Sequence, residues 1–286
     1  MSVTPAGTKP YYYVPRPSYW PITGSCALLC MAFGAAFWFN AYAVGPWLLL
    51  AGFCILLTMM FGWFGTVIGE SEHRLYNKKV DHSFRWGMTW FIFSEVMFFG
   101  AFFGALFYVR NVSVPDLADL GQKLLWPDYM AGWPTNGPYQ KDVFTPMEAI
   151  GIPLLNTIIL LSSGGTITAA HYALKAGRRG ALKFWLFLTI VLGFTFLGFQ
   201  TYEYTHAYSA LNLKLSTGVY GSTFFMLTGF HGFHVTIGTI MLSVMLGRAF
   251  RGHFNAKHHF AFEAATWYWH FVDVVWLLLF VLVYWL

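Results

Sequence analysis

Charge is what this chain has least of. Asp, Glu, Lys and Arg make up 10% of its 286 residues, against about 25% in a soluble globular domain. From 17 to 69 there are 53 consecutive residues with none of them. That run excludes a soluble fold. It is long enough for two membrane crossings joined by a turn at 40–46, since about 20 apolar residues span a hydrocarbon core about 30 Å thick. Cysteine is scarce as well, with only Cys26, Cys30 and Cys54, all in apolar stretches. A disulfide framework is thereby excluded, and there is no C-x-x-C-H for covalent haem. Cys26 and Cys30 share a helix face, but neither His nor acid stands beside them. They are read as reduced packing residues and not as a copper site. Residues 1–21 lack a short apolar core followed by a small-residue cleavage site. No cleavable signal peptide is expected, and the first span itself would direct insertion.

What the chain has instead is apolar bulk, 57% hydrophobic and 21% aromatic. Further apolar segments at 86–109, 149–174, 184–202, 217–247 and 260–286 bring the expected spans to seven. The fold class read from this is an all-α membrane protein. Its parts are a segment 1–21, a two-helix hairpin 22–69, a charged loop 70–85 and a five-helix bundle 86–286 interrupted by a long loop 111–147. With the N-terminus in the cytoplasm, inside segments hold 13 Lys and Arg and outside segments hold 4. The positive-inside rule then sets the N-terminus in and the C-terminus out. The pI near 9.0 reflects this topology and anionic lipid, not nucleic acid. Loop 111–147 has five prolines together with Trp126 and Trp133. It is expected to fold over the bundle end, with a short helix near Leu117–Leu125, as a plain translocated loop or as a partner-facing surface. No inverted repeat is evident, which weighs against a secondary transporter.

The chemistry concentrates in a few ionisable residues at depth. Arg85 and Arg110 bracket 24 residues of which Glu95 alone carries charge. At about 1.5 Å per residue, Glu95 lies roughly 15 Å in from Arg85, near the middle of a bilayer. An unpaired carboxylate there is strongly disfavoured, so a neutral acid or a hydrogen bond from a neighbouring helix is expected. It serves either as an interhelical contact or in a partner's proton chemistry. His231 and His234 stand three apart on the sixth span. Glu263, His270 and Asp273 form a polar stripe with Trp267 on the seventh. Interhelical hydrogen bonds are the plainest use of these groups. A proton relay and a metal site are the alternatives, and a metal needs three or four converging ligands. His73, His82, His253, His258 and His259, with His171 nearby, line the inside loops, where imidazoles exchange protons near neutral pH. They form either a proton-collecting surface or a headgroup-facing rim. Arg248, Arg251 and Lys257 suit lipid phosphates.

Several of these residues carry a resemblance. The run HHFAFEAATWYWHFVDVVW at 258–276 looks like subunit III of the haem–copper cytochrome c oxidases. So do GVYGSTFFMLTGFHGFH at 218–234, SEVMFF at 94–99, WPITGS at 20–25 and PLLNT at 153–157. The long 111–147 loop is similar to bacterial, aa3-type forms. The resemblance implies two plus five helices around a V-shaped cleft holding phospholipid. It implies no haem, copper or other metal in this chain, those centres belonging to subunits I and II. It also implies packing against subunit I, support of proton uptake and protection of the catalytic centre, with cytochrome c met only indirectly. The family's buried acid falls on Glu95, and its lipid contacts on Glu70, Arg248 and His258, while the lipid-contact His of loop 70–85 falls on His73 or on neither histidine of that loop. The proton-collecting candidates are His73, His82, His253 and His259. A quinol-oxidising relative would be expected to lack the first two spans, which this chain has. A purely structural scaffold is the other reading.

Overall fold

The computed structural model describes residues 12–119, 121–122, 124–139 and 143–285. Seven of its helices are long and apolar enough to cross a membrane. They are α1 (Trp20–Phe39), α2 (Gly45–Glu72), α3 (Lys78–Tyr108), α4 (Ile152–Lys175), α5 (Arg179–Ser209), α6 (Val219–Phe250) and α7 (Phe260–Leu279). Helix α3 runs on through a wider π turn at Val109–Ser113 and a last turn at Val114–Leu117, and α7 through a π turn at Phe280–Trp285. Helices dominate because lipid offers the backbone no hydrogen bonds, and a helix satisfies its own. Proline in the first turn opens α1, α2 and α4. There its missing N–H removes a donor that would have had no intrahelical partner.

The chain divides into two compact units at Phe84–Arg85. In the first, α1 and α2 form an antiparallel hairpin about a turn at 40–44. Their close approach depends on small residues. A Cβ on Gly52 would meet the Ala27 carbonyl oxygen and the Met31 nitrogen at 2.8 Å, and one on Gly34 would meet the Leu49 Cα at 2.8 Å. Trp20 closes the other end, its Nε1 donating to Thr66 Oγ1 at 3.3 Å.

The second unit is built around α7. Trp269, Trp276, Phe196, Phe224 and Phe262 are its largest fully buried side chains. Gly193 of α5 and Gly238 of α6 leave room for the Trp269 ring, which a Cβ at either would meet at 2.9 Å. The indole N–H of Trp269 donates to Ser163 Oγ at 2.9 Å, and that of Trp276 to Thr157 Oγ1 at 2.9 Å. Four helices thus converge on one aromatic column whose polar atoms are satisfied, as buried indoles require.

The helices exceed the segments expected from hydropathy. The stretch 70–85 is mostly helical. Glu70 and Glu72 end α2, Lys78, Lys79, Asp81 and His82 open α3, and only 73–77 connects them. Charged residues project past the hydrocarbon while the backbone keeps its helical bonds, so hydropathy marks the core of a span and not its ends. The short helix expected near Leu117–Leu125 is absent from the described residues of 118–125. The last helical turn of α3 ends at Leu117, and the described residues of 118–125 form turns. Leu120, Lys123 and 140–142 lie outside the described residues, as do 1–11 and 286.

Candidate functional site

Glu95 is half-buried on α3, and its Oε2 lies 2.7 Å from Nε2 of His234 on α6. The other ring nitrogen, Nδ1, lies 2.6 Å from the Phe230 carbonyl oxygen. A carbonyl only accepts, so Nδ1 carries a hydrogen. One proton therefore sits between Nε2 and Oε2. The pair is either a neutral acid with a neutral imidazole or a carboxylate with an imidazolium, and both have zero net charge. This is how the chain holds an acid at that depth. Rings of Phe98, Phe99, Phe233 and Tyr268 surround the imidazole at 5.0–6.4 Å between centroids.

His231, three residues back, turns to a different neighbour. Its Nε2 lies 3.2 Å from the Val272 carbonyl oxygen, and the ring packs against Phe196 and Trp276. The two histidines share a helix but not a site. The stripe on α7 also separates into two. Glu263 takes both guanidinium nitrogens of Arg85, at 2.8 and 2.9 Å, and Arg85 lies over the Phe260 ring. Two turns further, His270 Nδ1 is 3.5 Å from Asp273 Oδ2, and its Nε2 is 3.2 Å from Thr168 Oγ1. Gly164 lets Asp273 approach α4 closely, since a Cβ there would meet Oδ2.

Of the residues first considered as metal ligands, His231, His234 and His270 have separate partners. A different trio comes together. His171, His259 and Glu263 each place a ligand atom within 4.8 Å of the others. Such a set suits a borderline cation, but Arg85 already neutralises the Glu263 carboxylate.

Glu70, expected as a lipid contact, is held by two phenols. Tyr13 donates to Oε1 at 3.0 Å and Tyr76 to Oε2 at 2.7 Å. Loss of solvent and the bond to Glu70 push both phenols above their usual range. Arg248 is buried on α6, its guanidinium over the Phe254 ring at 4.7 Å. His258 is exposed on a turn whose backbone N–H donates to Asn255 Oδ1 at 2.9 Å. His73 and His82 are exposed and His253 is half-buried, while His259 is turned inward with Nδ1 3.1 Å from the Asn255 carbonyl oxygen.

One buried acid escaped the sequence reading. Glu203 lies on α5 with 1% of its surface exposed, and Tyr284 donates to its Oε1 at 2.5 Å. The expected fifth segment, 184–202, stops one residue before it. The signal was present in Tyr202–Glu203–Tyr204, where aromatic neighbours flank an acid. The three cysteines are free, with Cys26 and Cys54 on outward faces and not in a packed interior.

A family model described as cytochrome c oxidase subunit III matches residues 9–286. The chain belongs to that family. It is 42% identical over 275 residues to cytochrome c oxidase subunit 3 of Carassius auratus, an alignment covering 96% of each chain. The same subunit of Marchantia polymorpha is 43% identical with equal coverage, and that of Chondrus crispus is 44% identical over 96% of this chain and 93% of its own. A member of the subunit III family is a multi-pass membrane component of a larger oxidase, so other oxidase subunits are its partners. Its polar interior therefore sits in a family that lacks redox centres.

Proposed function

We propose that the chain is the accessory subunit III of a proton-pumping cytochrome c oxidase in a bacterial cytoplasmic membrane. It braces catalytic subunit I, holds phospholipid and supports proton uptake while the complex reduces oxygen to water with electrons from cytochrome c. Haem and copper belong to subunits I and II. The bacterial setting rests on the long 111–147 loop.

One observation carries the bracing role. Four acids of the second unit are answered inside the chain, Glu95 by His234, Glu263 by Arg85, Asp273 by His270 and Glu203 by Tyr284. A bundle whose acids find partners within it can press on a neighbouring subunit without presenting them unpaired to it. Lipid contact is assigned to Arg248, Glu70 and His258, and proton collection to His73, His82, His253 and His259. The exposed imidazoles of His73 and His82 suit that second role, since exposed imidazoles take up and release protons near neutral pH.

The test compares the purified complex with and without this chain. Without it, catalytic life should shorten and turnover should fall most at high pH, where protons are scarce. An unchanged lifetime and an unchanged pH profile would leave only a scaffold.

A further inference from the structure

We propose that the second unit carries a site for the ammonium group of a zwitterionic phospholipid, one with a choline or ethanolamine headgroup, at the end where α6 begins and α7 finishes. This goes beyond the lipid contacts assigned above, because Arg248 stands at the opposite end of α6.

The site is a pocket of about 450 Å³ whose wall includes Trp133, Tyr220, Tyr284, Trp285, Glu148 and Met147. That volume lies within the range of about 300–1,000 Å³ usual for small-molecule sites. Four aromatic rings and one carboxylate are the donor set that recognises an organic cation. Ring quadrupoles attract ammonium groups, and a quaternary ammonium in an aromatic cage is the standard case. Among the described residues, no Lys or Arg stands in the wall.

The pocket is built and not incidental. The segment that brings Trp133 and Glu148 is tied down at several points. The Tyr220 N–H donates to the Thr135 carbonyl oxygen at 3.1 Å, and the Thr145 N–H to that of Leu211 at 3.0 Å. Phe144 stacks on Tyr220 with 5.5 Å between ring centroids, and Trp133 meets the same ring edge-on at 5.6 Å. Tyr284 is fixed from behind by its bond to Glu203.

Arg110 supplies the complementary half. Its guanidinium lies 5.9 Å from the centroid of the Trp133 ring, at the far end of α3 from Arg85. A phosphodiester is one linker away from the ammonium of such a lipid. Arg110 can therefore take the phosphate while the aromatic pocket takes the cation. Trp285 is largely exposed at the same end, as expected for an indole in the headgroup layer. An anionic headgroup would meet Glu148 and be repelled.

The experiment uses the intact oxidase complex carrying this chain, its Glu148→Gln variant or its Trp133→Leu variant. Each is reconstituted in nanodiscs of equal phosphatidylcholine and phosphatidylglycerol, then washed with detergent, and the retained lipids are counted by mass spectrometry. The expected result is one fewer phosphatidylcholine per complex in both variants, with phosphatidylglycerol unchanged and the haem spectrum intact. Unchanged phosphatidylcholine in Glu148→Gln overturns the proposal, because that variant keeps the shape and removes only the charge. Equal loss of both lipids overturns it too, since the pocket would then read acyl chains and not headgroups. Arg248→Ala in the same assay reports on the other lipid contact, so the two readings fail separately.

Discussion

His234 answers Glu95 with one nitrogen and the Phe230 carbonyl with the other, and that double commitment sets the proton count of the pair. Removing the imidazole leaves a half-buried acid without its hydrogen-bond partner. His234→Ala should cost about 1–3 kcal/mol of stability, the range for stranding a buried polar group. It should cost much less when Glu95 is already Leu. Thermal unfolding of the single and double variants tests this, and equal losses in both backgrounds would show that the two residues are not coupled. The Glu70 clamp has a pH signature. A phenol whose folded pKa is raised keeps its full stabilising effect below the unfolded value of about 10. It loses that effect as pH rises through the higher folded value. Tyr76→Phe should therefore remove a phenol that ionises later than an exposed tyrosine. An ultraviolet difference titration of the two forms should show a step above pH 10. A step centred at about 10 would mean that Tyr76 ionises as a free phenol and that Glu70 does not hold it.

Helix pairing in this chain depends on places where a side chain would not fit. At Gly52, added carbon meets backbone atoms of α1, which cannot swing aside. Gly52→Leu should force α1 and α2 apart, with an overpacking cost of about 1–3 kcal/mol or more. The hairpin should then become the first part of the purified chain to be cut by protease. An unchanged digestion pattern and melting temperature would show that the hairpin adjusts without loss. Such contacts matter more in lipid than in water, because apolar surfaces gain nothing from leaving lipid tails, and close packing must hold the helices together. The Trp269 column follows the same logic with Gly193 and Gly238, and adds a hydrogen bond at Ser163.

At the scale of the whole molecule, the chain is a subunit whose activity is read only in its complex. Arg248→Ala is expected to leave the initial oxygen consumption of the oxidase within about twofold of normal. It should shorten the time over which activity is lost during turnover, as the phospholipid it is proposed to hold departs. Oxygen-electrode traces and lipid analysis of the same preparation measure both quantities. Normal lifetime with normal lipid would remove Arg248 from this role.

Much of the architecture was legible from residue order alone. Seven spans follow from hydropathy, because the bilayer imposes one length scale and permits few folds. The hairpin turn follows from Asn40–Pro46, and Glu95 as an exceptional residue from its charge at depth. The family could be read from runs such as 258–276, whose order of polar and aromatic residues resembles the family's. Partners were not legible. That Arg85 would hold Glu263, His234 would hold Glu95 and Tyr284 would hold Glu203 depends on which helix faces meet, over separations of 178, 139 and 81 residues. Spacing on α6 put His231 and His234 on one face, yet packing gave each a different neighbour. The number of membrane crossings and the places where charge is tolerated follow from residue order, because both are exchanges between one residue and its solvent. Which acids are paired, where the pocket opens and how the Trp column is seated come from the packing, because these depend on distances between helices far apart in the chain.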